Sequence, residues 1–436
     1  MKLRPWPSSG KEFKRWFDSL RARRRVGDPR VEAAAARIIA AVRRGGDRAL
    51  LALSRRLDRV ELTARSLKVS EREMAVAGAA LSVDERRALA LAARRIRDFH
   101  RRTLEKSFSY RDSLGVRLGQ AVRPLTRVGL YVPGGQASYP SSVLMNAIPA
   151  AVAGVREVVM VSPMQPGPGE AAVLAAAALA GVTEVYRVGG AQAVAALAYG
   201  TETIGAVDKI VGPGNAYVQA AKRLVFGVVG IDTVAGPSEV LVIADDTADP
   251  RWVAADLIAQ AEHGSGDECA ILLTPSAALA QAVGAAIVQA LETLPRARSV
   301  RAALVQNGAL IVVSDINEAF ALANLIAPEH LELELRGARR WAKMARTAGA
   351  VFIGPHSPAP LGDYLAGPNH VLPTAGAARF ASPLGVYDFV KRSSIIEAPA
   401  SALRKLGPAV ARLARLEGLE GHARAVELRL KGGTPG

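Results

Sequence analysis

At 436 residues the chain exceeds one ordinary domain and should fold as two or three compact units. Half of its residues are hydrophobic but only 5% are aromatic, so Ala, Val, Leu and Ile must fill the core, which suits helices on sheets. The net charge of +16 is spread along the chain, and the densest basic cluster, Arg21, Arg23, Arg24 and Arg25, has no interleaved aromatics; this argues against a nucleic-acid partner and for a solvated surface that attracts anions such as dinucleotides.

The opening MKLRPWPSSGKEFKRWF has no apolar core of a signal peptide, and no stretch of about 18 apolar residues avoids Pro or charge, so a cytoplasmic protein without a membrane partner is expected. The first hundred residues read as helices. Asp28-Pro29 starts one and Gly45-Gly46 stops it, while Ser70 with Glu73 and Ser82 with Glu85 have capping-box spacing. From about residue 116, short Val/Ile/Leu runs alternate with Ala-rich stretches (VREVVMVSP, VTEVYRVGG, VDKIVGPGN), the rhythm of a parallel sheet covered on both faces. A second series follows the Gly-Pro joint of VAGPSEVLVIADD, through CAILLT, ALIVVS, LELEL and AGAVFIG. The last stretch, from about residue 385, reads as helical, charged and short of strands, so it must dock elsewhere.

Three strand ends of the first series run into glycine-rich turns: LYVPGGQASYP, RVGGAQAVAAL and IVGPGNAYVQAA. Such turns lie on the carboxyl edge of a parallel sheet, where backbone N–H groups and helix N-termini meet phosphate. No GxGxxG occurs, and glycines needed only for tight turns would look the same. Cys269 stands alone, which excludes an internal disulfide, a Cys-rich zinc site and a CxxC redox pair.

Three stretches that carry histidines have suggestive neighbours. In AADLIAQAEHGSG, Gln260 and His263 are three apart near a helix end, on one face; the same spacing serves a capping or exposed pair. GPHSPAPLGDYLAGPNHVLPT predicts an ordered loop carrying His356, Asp363 and His370. In LARLEGLEGHARAVELRL, Glu417 and His422 fall on different sides of a straight helix unless Gly418 and Gly421 relax it. Imidazole, carboxylate and amide oxygen are zinc donors, but composition alone does not bring these segments together.

The motifs VGLYVPGGQASYPSSVLMNAIPAAVAGV, VGGAQAVAALAYGTETIGAVDKIVGPGNAYV, AGPSEVLVIAD, LIAQAEH, APEHLEL, GDYLAGPNHVLPT and VYDFVKRSS resemble, in order, those of histidinol dehydrogenase, from roughly residue 25 to the last helix. The resemblance implies oxidation of L-histidinol through the aldehyde to L-histidine with two NAD, the final step of histidine biosynthesis, by a zinc-dependent homodimer. It implies zinc on Gln260, His263, Asp363 and His422, substrate contacts from Ser238, Glu417 and His330 as well as these ligands, and NAD contacts from Tyr131, Gln192 and Asn215.

His330 is then the base that takes the alcohol proton. Glu329, in the turn after Pro328 and pointing away from His330, would deprotonate the water that hydrates the aldehyde. The implied fold is α/β with two doubly wound, incomplete Rossmann-like parallel-sheet domains. Residues 27–130 and 239–384 form the catalytic, zinc-binding one and 131–238 the NAD-binding one. A helical arm, 1–26, and a helical tail, 385–436, flank them; the tail is exchanged in the dimer, so that His422 and Glu417 complete the partner's site.

Gly264, Gly385 and Leu365 depart from the family's usual aspartate, serine and small residue. None is a proposed ligand. Leu365 shows a thiol there to be dispensable, and Cys269, starting an apolar strand, reads as packing, so a thioester mechanism of the aldehyde-dehydrogenase kind is rejected. A dehydrogenase of another imidazole or amino alcohol remains an alternative. A third reading, an inactive basic scaffold or nucleic-acid binder, conflicts with the intact Glu329, His330 and ligand set, and steep salt-sensitive duplex binding would favour it.

Overall fold

The computed structural model describes residues 5–23, 27–134, 138–164, 167–263 and 266–432. Arg24 and Arg25 of the basic cluster, part of the first glycine turn (135–137) and Gly264 lie outside the described residues. The chain divides into two units, Met1–Thr103 with Leu125–Phe389, and Leu104–Pro124 with Val390–Gly436. Strands are numbered in chain order.

The first unit holds two parallel sheets of the same winding. One has the order β6-β5-β4-β7-β8, formed by β4 (Arg127–Tyr131), β5 (Glu157–Val161), β6 (Glu184–Tyr186), β7 (Lys209–Val211) and β8 (Gly230–Ile231). The other has the order β1-β11-β10-β9-β12-β13, from β1 (Trp6–Pro7), β9 (Glu239–Ala244), β10 (Cys269–Thr274), β11 (Ala309–Val312), β12 (His330–Glu334) and β13 (Ala350–Ile353). In each, the chain winds outward from a central first strand and then reverses, which leaves a switch point at β4/β7 and at β9/β12. Cores on opposite faces follow from the period of two. Val128, Leu130, Val158 and Met160 face one way and Tyr131, Val159 and Val161 the other.

Residues 29–101 belong with the five-stranded sheet, a correction to their grouping with 239–384. The helix Pro29–Leu53 packs Ala35, Ile39 and Leu50 into the core of Tyr131, Val159 and Val194, and the helix Val83–Arg101 packs Ala92 and Ile96 against Val128 and Leu144. Their small apolar stripes fit the Ala-rich helices Gly190–Tyr199 and Pro140–Ala153, on which they form outer layers. The boundary at 130/131 also cuts through β4.

Asp28, Ser70 and Ser82 cap their helices as expected, the last two through capping boxes with Glu73 and Glu85. Gly46, at φ 50° and ψ −139°, breaks the helical path, but the chain resumes its helix to Leu53 instead of stopping. The N-terminal arm adds β1 beside β11, and its helix Lys11–Arg23 buries Trp16 and Leu20 under the six-stranded sheet.

The second unit pairs β14 (Val390–Glu397) along all eight residues with β3 (Arg117–Pro124), which also pairs with β2 (Phe108–Arg111), all antiparallel. The helices Ala400–Leu416 and Glu420–Lys431 follow. The tail therefore begins with a strand, and at Val390: residues 386–389 form a turn whose Phe389 is buried in the first unit. The strand escapes a sequence reading because VKRSSIIE carries charge and no alternation, and its partner lies some 270 residues earlier. No helix among the described residues is long and apolar enough to cross a membrane.

Candidate active site

The approach to β12 is built by the backbone. The helix Ile316–Ile326, capped by Asp315, ends on Ala327 in the left-handed conformation (φ 51°), and Pro328 bars any further helical turn. Gly349 N donates to Pro328 O at 3.0 Å and Ala350 N to Glu329 O at 2.9 Å; a Cβ on Gly349 would strike the Glu329 carbonyl oxygen. Glu329 and His330 are thereby fixed at the amino end of β12, beside the switch point with β9.

His330 Nδ1 lies 3.0 Å from the Glu239 carbonyl oxygen, an acceptor, so Nδ1 carries the hydrogen and Nε2 the lone pair in the neutral ring. Nε2 is buried without a hydrogen-bond partner and faces Asp363 Oδ1 at 3.5 Å. The Glu329 carboxylate accepts Glu239 N–H at 2.9 Å and stands 3.6 Å from His330 Nδ1. This corrects the expectation that Glu329 points away from His330: the N–H of Glu239 draws the carboxylate back against the ring.

Burial pushes Glu329 up to about 7 against the pull of His330. Burial alone would lower His330, but the carboxylates of Glu329 and Asp363 outweigh it and push the imidazole up to about 9. Asp363 behaves oppositely: burial would raise it, while the facing His330 ring and the charges of His370 and His263 hold it low.

Of the four expected ligands Asp363 touches this pair, and the charge of His263 reaches Asp363. Gln260, in the last turn of the helix Pro250–Ala261, is 4% exposed and leaves its amide Nε2 buried without a partner. His263 follows in the turn, exposed, with Nδ1 3.1 Å from the Gln260 carbonyl oxygen. Asp363 lies on the short helix Ala359–Tyr364 and not in a loop. His370, given no role from the sequence, donates Nδ1–H to Asp363 O at 2.9 Å and sets Nε2 3.4 Å from Ser142 Oγ, on a helix of the other sheet. Ser238 precedes β9 on the same edge as His330.

Among the described residues no three His, Cys, Asp or Glu side chains stand close enough to enclose an ion. The N/O donors nevertheless suit zinc, to which the Gln260 amide would offer its carbonyl oxygen and not the unpartnered Nε2. Glu417 and His422 are exposed in the second unit, on either side of a helix break made by Gly418 at φ 74°; Gly421 stays helical.

The dinucleotide candidates gather at the carboxyl edge of the five-stranded sheet. Tyr131 ends β4 and its hydroxyl accepts Gly190 N–H at 3.0 Å, with burial pushing its pKa up to about 12. Gln192, 1% exposed, donates Nε2–H to Asp58 Oδ2 at 2.9 Å and keeps a partnerless Oε1. Asn215 caps the helix Ala216–Val225 by accepting Tyr217 and Val218 N–H, both at 3.1 Å. A cavity of about 630 Å3, lined by Arg37, Leu53, Asp58, Gln192 and Asn215, adjoins one of about 320 Å3 lined by Tyr131, Pro133 and Pro163. Both include Asp58, Gly190 and Asn215 and sit beside the β4/β7 switch point.

Lys222 holds this edge together. Fully buried, it contacts the Asp232 carboxylate and donates to Gly212 O at 2.8 Å and Thr233 O at 3.0 Å. Gly212 (φ 115°) must be glycine, since a Cβ would run into the Tyr131 carbonyl oxygen. Lys222→Met should cost about 3–5 kcal/mol, read as a fall in the urea midpoint, because it strands a buried carboxylate and two carbonyls. An unchanged midpoint would mean that water replaces the ammonium. Lys222 had a sequence signal: it sits at the i+4 position of the buried stripe Val218, Ala221, Lys222, Val225. Asp58 had none.

Residues 21–430 match the family model for histidinol dehydrogenase. The chain is 54% identical over 431 residues to histidinol dehydrogenase of Chromobacterium violaceum, covering 98% of this chain and 99% of that one. It is 55% identical over 424 residues to that of Rhizobium meliloti, covering 97% and 98%. The crystal structure of histidinol dehydrogenase from Elizabethkingia anophelis, at 36% identity, matches with a TM-score of 0.90 over 98% of each chain. With the same fold over the full length and identity above one half, the chain belongs to the histidinol dehydrogenase family.

Proposed function

We propose that this protein is a zinc-dependent, NAD-linked dehydrogenase that oxidises L-histidinol through L-histidinaldehyde to L-histidine, the last step of histidine biosynthesis, as a cytoplasmic homodimer. The observation that carries this reading is the buried Glu329–His330 pair, whose one lone-pair nitrogen faces Asp363.

Gln260, His263, Asp363 and the partner subunit's His422 would hold zinc, while Tyr131, Gln192 and Asn215 would hold NAD in the crevice beside β4 and β7. When bound, these groups supply a cation that grips the imidazole and amine nitrogens of histidinol and an acceptor for hydride. His330 Nε2 takes the hydroxyl proton as hydride leaves the carbinol carbon. Glu329 takes a proton from the water that adds to the aldehyde, giving the hydrate whose remaining carbon-bound hydrogen leaves as the second hydride. Ser238 and the partner subunit's Glu417 orient the substrate. Burial of the Glu329–His330 pair keeps bulk water from competing for either proton transfer.

The decisive measurement is the NADH formed per L-histidinol consumed, with and without chelator. Two NADH are expected, with loss of turnover and of histidinol binding, but not of NAD binding, once metal is stripped. A yield of one NADH, or turnover indifferent to a metal-free preparation, would reject the reading.

A further inference from the structure

A single carboxyl group joins the three elements that carry the candidate site. Glu332 follows His330 by two residues on β12, so both project from one face of the six-stranded sheet. It is 1% exposed, and its Oε1 accepts at 2.6 Å the N–H of Ala359, the first residue of the helix that carries Asp363. Its Oε2 is buried and receives no hydrogen from any donor group. The Asp256 carboxyl, on the helix Pro250–Ala261 that carries Gln260 and leads to His263, is close enough to the same side chain for each to act on the other's proton.

Two carboxylates cannot hydrogen-bond to each other; two carboxyls sharing one proton can. Burial, with the Asp256 charge second, pushes Glu332 up to about 8, and burial pushes Asp256 up to about 6, which keeps that proton in place near neutrality. The ionisable groups facing Glu332 are Asp256 and, from its own strand, His330, while Glu334 interacts with Asp256. The flanking strands present Val242 and Phe352, and the helix Ala359–Tyr364 presents a backbone N–H.

We propose that Glu332, sharing a proton with Asp256, is a positioning residue that fastens the helix bearing Gln260 and the helix bearing Asp363 to the strand bearing His330. The proposal rests on the function assigned above to those residues. The strand supplies a rigid reference, and one side chain transfers its register to two helices that otherwise meet the site from different parts of the chain. At alkaline pH the shared proton leaves, two buried carboxylates repel, and both helices loosen.

The test compares Glu332→Gln and Glu332→Leu in the full-length protein by hydrogen–deuterium exchange and by turnover of L-histidinol. Glutamine keeps an acceptor for Ala359 and gives Asp256 an N–H in place of the proton; leucine fills the space and offers neither. E332L should exchange the Ala359 amide about tenfold faster and raise the KM for L-histidinol about tenfold with NAD binding unchanged. E332Q should match the wild type at neutral pH and retain slow exchange at alkaline pH, where the wild type loses it. Asp256→Ala, at a partly exposed position, should loosen residues 250–261 alone, and serves if E332L does not fold. Wild-type exchange at Ala359 in folded E332L, an alkaline loss in E332Q like the wild type's, or unchanged exchange over 250–261 in D256A would overturn the proposal. A wild type inert toward L-histidinol would instead reject the assigned reaction, and the exchange rates would still decide the tether.

Discussion

Replacing His330 by Asn should lower kcat for L-histidinol oxidation by about 10²–10⁴ while leaving NAD binding and the fold intact. The size of the effect follows from the ring's surroundings. Nδ1 is committed to the Glu239 carbonyl, so Nε2 is the one nitrogen able to take a proton, and it is buried beside Asp363 with no competing donor. Asparagine keeps a polar group near Glu239 but presents no basic nitrogen at the Nε2 position. Steady-state kinetics with NADH absorbance, together with a dinucleotide titration by intrinsic fluorescence, separate the two readouts. A variant that retains more than about a tenth of wild-type kcat would assign the proton transfer to another group, with His370, whose ring interacts with His330 and Asp363, as the imidazole alternative.

The two sheets use opposite edges. At the five-stranded sheet, Tyr131, Gln192 and Asn215 stand at the carboxyl ends of strands, where helix N-termini and glycine turns offer N–H groups to phosphate. At the six-stranded sheet, Ser238, Glu329 and His330 stand at the amino ends, where the neighbouring helix termini are C-terminal: Ile316–Ile326 ends just before Glu329, and Pro250–Ala261 ends just after Gln260. Helix C-termini favour cations. A proton-accepting imidazole and the donor set proposed for zinc would suit that edge, as a phosphate would suit the other.

This division also marks what the sequence shows. The pair Glu329–His330 is legible because APEH interrupts two apolar runs, and the glycine turns are legible as turns, since a strand running into PGG, VGG or GPGN must bend there whether or not it binds phosphate. The helix starts are legible because their caps are local. What depends on contacts between distant segments is not. His370 reads only as one histidine of an ordered loop, with no role of its own, until the fold lays it between Asp363 and Ser142. The helices of residues 29–101 carry an amphipathic pattern that says they cover something, without saying which of two similar sheets. LELEL reads as strand alternation, but the two glutamates look solvent-facing; the strand is central, and both are buried.

Glu329→Gln should separate the two halves of the reaction. Gln retains an oxygen to accept the Glu239 N–H, so the local backbone stays in place, but it cannot take a proton from water. The first oxidation should continue and the second slow by about 10²-fold, so that NADH per histidinol falls from two toward one and an aldehyde accumulates that a hydrazine reagent can trap. A second effect has a fixed sign. The Glu329 carboxylate is the largest influence raising His330, whose proton it holds up to a pH of about 9. Since the ring acts as a base only when neutral, removing that carboxylate should move the acid limb of the first oxidation to lower pH. A mutant that still yields two NADH and keeps the wild-type acid limb would remove Glu329 from both roles. A shifted limb with an unchanged yield would leave it as the neighbour that sets the proton affinity of His330, and transfer the activation of water elsewhere.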